Sequence, residues 1–413
     1  MRPPLLYLTH RLPYPPNKGD KITTFHLLRH LAARYDVYLG TFVDAAEDDP
    51  HRSALTRYCA ALHAPRLRPR LATIGATTGF VRGEALTLSY YRSRAMTRWV
   101  ERIVRTHGIA RAVVYSSAMA QYVQHLAGLH TVLHFADVDS AKWSDYANAV
   151  RWPLSAVYRR EARTLLAFER AAARRAAACS LVTDAEAALF ARLAPECASK
   201  VCVVRNGVDT DYFAPLPERV SPFACDEVAI VFTGVMDYRP NIDAVDWFAR
   251  EVLPALLTEQ TRLRFYIVGM NPAPAVRALT RDRHVVVTGK VPDVRPYLQH
   301  ARVVVAPLRI ARGVQNKVLE AMAMQRPVVV AAAAAVGVSG VAGEDFAVAG
   351  TAAEFVAKVK TLLDVRDGDA LGMRARACVL RQHAWDANLT ALTDLLEAPA
   401  PVATRPQLTE ALA

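Results

Sequence analysis

One pattern, met twice along the chain, limits what it can fold into: short apolar runs separated by longer segments of helical period. In the first half the runs are PLLYLTH (4–10), DVYLGTF (36–42), RAVVYSS (111–117), TVLHFAD (131–137) and CSLVTD (179–184). Between several of them lie helical patterns such as KITTFHLLRHLAARY (21–35) and YRREARTLLAFERAAARRAAA (158–178). Parallel strands need a crossover connection, so this alternation predicts β-α-β units and the α/β class. It lapses in VCVVRNGVDTDYFAPLPERVSPF (201–223), where a strand gives way to turn and proline chemistry. It then restarts with EVAIVFTG (227–234), RLRFYIVG (262–269), VVVTG (285–289), ARVVVAP (301–307) and RPVVVAA (326–332). Two open sheets of similar size, facing each other, are expected.

At 413 residues the chain exceeds what one core normally organises. The expected division is 1–205 and 206–380, then a helix over 381–397 and a disordered tail from 398. An apolar fraction of 52% with 22% charged residues is that of a water-soluble globular protein. The apolar run near the N-terminus is too short for a signal peptide, and the longest uncharged run, 327–343, falls short of a membrane span. Six scattered cysteines without C-x-x-C spacing predict reduced thiols in a cytoplasmic protein, with neither disulfides nor zinc.

The net charge of +12 is lodged in one half. Through Arg205 there are 29 Lys and Arg against 16 Asp and Glu, and beyond it 22 against 23. Such asymmetry suits a surface that meets an anionic partner, unless the arginines are merely compositional. Zinc-finger, RNP-type and aromatic stacking motifs are missing, which argues against nucleic acid.

Open parallel sheets bind ligands beyond the carboxyl ends of their strands, where helix N-termini favour phosphate. Three loops here have that form. Strand 4–10 leads through RLPYPPNKGDK, with Gly19, into a helix near Lys21. Strand 227–234 ends at Gly234, followed by Arg239 and Pro240. Strand 301–307 leads into APLRIARGVQNK, with Arg309, Arg312, Gly313 and Lys317 at one helix start. If that helix begins near Gly313, its amides with Arg312 and Lys317 suit a diphosphate. Glu320, one turn further in, suits a ribose hydroxyl pair, and phosphate plus diol is a nucleotide. The plainer reading is a surface Lys317–Glu320 pair.

The segment NKVLEAMAMQRPVVV, together with VVRNGVDTDYFAP (203–215), FTGVMDYRPNIDAVDWF (232–248), VTGKVPDVRPYL (287–298) and VVVAPLRIARG (303–313), resembles the retaining GT-B glycosyltransferases of family 4. LYLTHRLPYPPNKGDKITTFHLLRHLA and FADVDSAKWSDYA (135–147) resemble a narrower subgroup, the exosortase-associated (PEP-CTERM system) sugar transferases of bacterial exopolysaccharide loci. The resemblance implies a GT-B fold, two Rossmann-like parallel-sheet domains facing a central cleft, with the 381–397 helix crossing back to the first. It implies transfer from a nucleotide-diphosphate sugar to a lipid-linked or polysaccharide acceptor, with no cofactor and no metal required. Glu320 matches the second glutamate of an E-x7-E motif, but Arg312 stands where the first would be. Met236 and Asn241 replace a usual Arg and Lys, and Gln325–Arg326 replace a usual glycine. Arg239, Arg312 and Lys317 are then expected to form the cationic cradle, with Gly19 and Gly234 beside the phosphates.

On the acceptor side the resemblance points to Asp137 as the residue that orients or deprotonates the acceptor hydroxyl; His134 is expected to be buried on the opposite face. Asp139 either faces the cleft or caps a helix beginning near Ser140. Ser140 and Lys142 are expected to line the cleft. His10 and Arg11 either meet acceptor phosphate or close a turn. Asp137-Val138-Asp139 is formally D-x-D, but no metal is expected there. The basic domain could meet the anionic inner membrane surface, with 158–175 either lying on the membrane or packed on its own sheet. A nucleotide-sugar 2-epimerase and a non-catalytic binding module are the alternatives.

Overall fold

The computed structural model describes residues 2–16, 19–311 and 314–398. Two all-parallel sheets form the molecule. The first has seven strands in the order β3-β2-β1-β4-β5-β6-β7: β1 (Pro4–Leu8), β2 (Asp36–Gly40), β3 (Ala61–His63), β4 (Arg111–Tyr115), β5 (His130–Ala136), β6 (Ala178–Leu181) and β7 (Val201–Val203). The second has six, in the order β10-β9-β8-β11-β12-β13: β8 (Val228–Thr233), β9 (Leu263–Val268), β10 (Val285–Gly289), β11 (Val303–Ala306), β12 (Val328–Ala331) and β13 (Ala347–Ala349). Central strands read as unbroken apolar runs because both faces are covered by helices. In β1, Leu5 and Tyr7 pack to one side with the helix Gly19–Arg34, while Leu6 and Leu8 pack to the other with Met96 and Trp99.

Strand order reverses between β1 and β4 and again between β8 and β11. Such switch points open a crevice at the strands' carboxyl ends. The three loops singled out in the sequence follow β1, β8 and β11, so all stand at these two switch points.

The chain crosses between the sheets twice, side by side. At 206–208 it leaves the first sheet, and at 383–385 it returns. The Val208 N–H donates to the His383 carbonyl at 2.9 Å, and a Cβ on Gly207 would lie 2.8 Å from that oxygen and from the Trp385 ring. His383 bridges both crossings to the second domain, with Nδ1 3.4 Å from the Asn206 carbonyl and Nε2 3.2 Å from that of Ser339. The returning helix Trp385–Glu397 lays Leu389, Leu392 and Leu396 into the first domain's core. It is pinned there by His30 to Thr393 at 2.8 Å and by Arg111 to the Leu396 carbonyl at 2.9 Å.

The expected helices shift at their ends. The first begins at Gly19 rather than Lys21. The donor-loop helix begins at Asn316, not near Gly313, because Gln315 still has extended backbone. The long basic helix, Leu154–Arg175, buries Leu165, Ala172 and Ala173 in its own domain and turns Arg159 and Arg163 to solvent. Its apolar side chains Leu165, Ala172 and Ala173 thus pack within its own domain.

Candidate functional site

The second domain's half of the site grows from Gly234. Its N–H donates to the Val268 carbonyl at 3.0 Å, and its own carbonyl lies where Gly269 would carry a Cβ. A Cβ on Gly234 would stand 2.7 Å from Asn241 Nδ2 and 3.0 Å from Lys317 Nζ. Glycine is needed so that both side chains can reach the strand tip. Asn241, in the first turn of the helix Arg239–Trp247, is buried; its Nδ2 donates to the Val235 carbonyl at 2.8 Å. Oriented in this way, its Oδ1 accepts from Lys317 Nζ at 2.6 Å. The ammonium also lies 4.4 Å from the centre of the Phe232 ring, whose π face favours a cation.

Glu320 stands one turn along the helix Asn316–Ala323 from Lys317. Burial raises Glu320 to about 7 against the pull of Lys317, and burial lowers Lys317 to about 7 against the pull of Glu320. A strongly perturbed pair at a strand-tip crevice is a mark of a functional site.

Across the cleft, the start of the helix Gly19–Arg34 meets the start of Asn316–Ala323. A Cβ on Gly19 would lie 3.7 Å from the Asn316 side-chain amide. Two helix N-termini thus converge, and Asn316 Oδ1 is enclosed without a hydrogen-bond partner among the described residues. Where the strands β6 and β12 end, the domain junction opens into a cavity of about 290 Å³ lined by Asp184, Arg205, Val314, Ser339 and His383 among others.

On the first domain's side, the tips of β4 and β5 are both held in the left-handed region, at Ser116 (φ 76°) and Ala136 (φ 64°). Non-glycine residues there are strained, and such strain gathers at functional sites. At Ala136 it folds the chain so that Asp137 N–H donates back to the Phe135 carbonyl at 2.9 Å. Asp137 is half-buried, and with Asp139 its charge acts on Lys142. Burial alone would lower Lys142, but Asp139, Tyr146, Tyr238 and Asp137 hold it above the ordinary lysine range. Tyr238 belongs to the second domain and reaches Tyr146 of the first, so the two walls touch here.

Several expected site residues have other employment. Ser140 is buried, its hydroxyl donating to Glu169 at 2.6 Å, and so does not line the cleft. Asp139 is the first helical residue rather than the cap, and accepts from Ser117 Oγ at 2.9 Å. That helix start is satisfied instead by two buried acids, Glu186 on the Val138 N–H (2.7 Å) and Glu169 on the Ser140 N–H (3.3 Å). Burial also lifts Glu169 to about 8. Arg11 pairs with Asp20 (3.0 Å) and Asp44 (2.7 Å), closing the loop after β1. His10 stacks on Tyr115 with Nε2 3.4 Å from Asp20. Burial would raise Asp20, but His10 and Arg11 hold it well below the usual carboxylate range. Arg309 forms a two-pronged pair with Asp243 (2.6 and 3.0 Å) instead of joining the cradle. Arg239 is exposed at the start of its helix, and no hydrogen bond or ion pair ties it among the described residues. Arg312 and Gly313 lie outside the described residues. His134 is buried and bonded to Ser180 at 2.8 Å. Among the described residues no group of three metal-ligating side chains comes together.

Asn241, Phe232, Asn316 and Tyr238 were not singled out as site residues by the sequence. Asn241 had two signals: it stands where the resembled family usually has a cation, and it is a polar residue directly after Arg239-Pro240 at a helix start, where burial must give it a partner.

Residues 227–365 match the family model for Glycosyl transferases group 1. No curated protein matches the chain. Sucrose-phosphate synthase from Thermosynechococcus elongatus superposes with a TM-score of 0.73 at 16% identity, covering 95% of this chain and 98% of that one. Anabaena HepE, solved in complex with UDP, gives 0.69 at 14% identity, covering 97% and 100%. WaaG, a glycosyltransferase involved in lipopolysaccharide biosynthesis, gives 0.66 at 16% identity, covering 96% and 100%. The shared fold is GT-B, over nearly the whole chain.

Proposed function

We propose that this protein is a glycosyltransferase that moves a sugar from a nucleoside diphosphate sugar to a lipid-linked or polysaccharide acceptor, with retention of anomeric configuration, in bacterial exopolysaccharide biosynthesis. The observation that carries the reading is the convergence of two helix N-termini, at Gly19 and Asn316, on Lys317 and Glu320 at facing switch points. Amide donors and an ammonium suit a diphosphate; a carboxylate one turn deeper suits the ribose hydroxyls. Retention and the exopolysaccharide role rest on the family resemblance of the sequence.

The chemistry follows from charge. Breaking the bond between the anomeric carbon and the diphosphate gathers negative charge on the leaving oxygen. Lys317 and the helix amides, fixed in advance, interact more strongly with that state than with the intact donor. The approaching diphosphate also favours the protonated form of Lys317, reversing the effect of burial. Asp137, at the strained tip of β5, is the group we assign to orient the acceptor hydroxyl and draw on its proton. Lys142 beside it steadies the carboxylate. No cofactor or metal is called for, since the leaving charge is met by Lys317 and amides.

The test is thermal unfolding against UDP, GDP, ADP and dTDP. HepE was solved with UDP, so uridine is the first base to try. A ligand at a hundred times its Kd adds about 2.7 kcal/mol. A rise with one base, lost in Glu320→Ala, is expected; no rise with any of them in folded protein overturns the donor site. Turnover of the sugar nucleotide without acceptor would instead favour an epimerase, and binding without turnover a non-catalytic module.

A further inference from the structure

The cavity at the domain junction begins just ahead of the helix Asn316–Ala323. Val314, two residues before that helix, stands in its wall, together with Asp184 and Arg205 of the first domain and Val336 and Ser339 of the second. With the ribose held toward Glu320, a sugar leaves the other end of the diphosphate, toward Val314. A space of about 290 Å³ lies on that side.

Its polar wall is assembled from both domains. Arg205 donates through Nε to Ser339 Oγ at 3.2 Å and through a terminal nitrogen to Asp184. One guanidinium is thus stretched between a carboxylate beyond β6 and a hydroxyl beyond β12. The Asp184 side chain is still 77% exposed, so its remaining acceptor capacity is open to a ligand. The Ser339 carbonyl lies 3.2 Å from Nε2 of buried His383, which fixes the segment that carries the hydroxyl.

Carboxylate, guanidinium and hydroxyl beside valine side chains suit a sugar ring: the polar groups take its hydroxyls and the valines its C–H edges. Charge narrows the class. Among the described residues the charged groups in this wall are Asp184 and Arg205, and they cancel; burial keeps His383 below the ordinary histidine range. A neutral sugar meets no opposing charge there. A uronic acid would bring a second carboxylate to an arginine already neutralised.

We propose that this cavity is the pocket for the transferred sugar, and that the Asp184–Arg205 pair selects a neutral sugar over a uronic acid. The inference deepens the glycosyltransferase reading and rests on it.

UDP, UDP-glucose and UDP-glucuronate are titrated calorimetrically into the full native chain and two variants. The native chain should bind UDP-glucose about tenfold more tightly than UDP-glucuronate. Asp184→Asn frees Arg205 for the uronate carboxylate and should erase or reverse that preference, while UDP binds as before. Val336→Trp, at a lining position 67% exposed, should fill the cavity and weaken both sugar nucleotides about tenfold with UDP unchanged. The unchanged UDP affinity shows that each variant is folded. No native preference for the neutral sugar, a preference that Asp184→Asn does not move, or sugar-nucleotide affinities untouched by Val336→Trp overturns the pocket and leaves the donor site standing. Where the melts select another base, its neutral sugar and uronate replace the UDP pair. If no nucleoside diphosphate binds, the donor reading fails and the pocket fails with it.

Discussion

Lys317 and Glu320 carry opposite charges on one helical turn, yet each is drawn toward neutrality, Lys317 down and Glu320 up, to about 7. The signs fix the pH dependence. Glu320 favours folding below the ordinary carboxylate range, and that contribution is lost as pH rises through about 7. Lys317 favours folding above the ordinary lysine range, and its contribution is lost as pH falls through about 7. Near neutrality both oppose folding, as expected of groups kept for a ligand rather than for stability. Lys317→Met/Glu320→Gln should therefore unfold no earlier than the native protein in thermal melts while losing its UDP shift. Donor affinity needs a charged lysine and an ionised glutamate, so calorimetry across pH should find a maximum near 7 that falls on both sides; a monotonic profile would contradict the assignment. Asn241 fixes the ammonium through one charge-assisted bond, and Asn241→Ala should weaken UDP about tenfold by the same titration. The roles proposed for Lys317 and Glu320 were suggested in the sequence by their spacing at a helix start and by the family resemblance, beside the plainer reading of a surface pair. The role of Asn241 was not, because its partner lies 76 positions away.

The helix that carries this pair ends in a complete Schellman turn. Gln325 N–H donates to the Met322 carbonyl and Arg326 N–H to that of Ala321, both at 3.0 Å, with Gln325 at φ 59°. Glycine is the usual residue there in the resembled family, and the backbone keeps the glycine conformation without the glycine. Gln325→Gly should stabilise the protein by about 1 kcal/mol, read as a higher denaturation midpoint, since a side chain in that region costs about that much. The strands over-determined by apolar runs were legible in the sequence. β3 and β13, three residues each, were not, because so short a run carries no period and is defined only by the neighbour it pairs with.

At the scale of the molecule, two adjacent crossings join the domains, and Gly207 lies in one of them against Trp385 in the other. Gly207→Ala would force a Cβ to within 2.8 Å of the ring and of a backbone oxygen. A loss of about 1–3 kcal/mol is expected, seen as an earlier thermal transition. The sequence by itself determined the α/β class and the two parallel sheets, and it pointed to three loops at strand ends, because each rests on local periodicity and turn chemistry. Only the tertiary structure decided which charges are free to act. Arg11 and Arg309 look like ligand-binding cations in the sequence and are neutralised by Asp20, Asp44 and Asp243. Lys317 is set apart by burial, by an asparagine and by an aromatic face from distant segments. Charge is a property of a residue, but its availability is set by what the fold brings within a few ångströms of it.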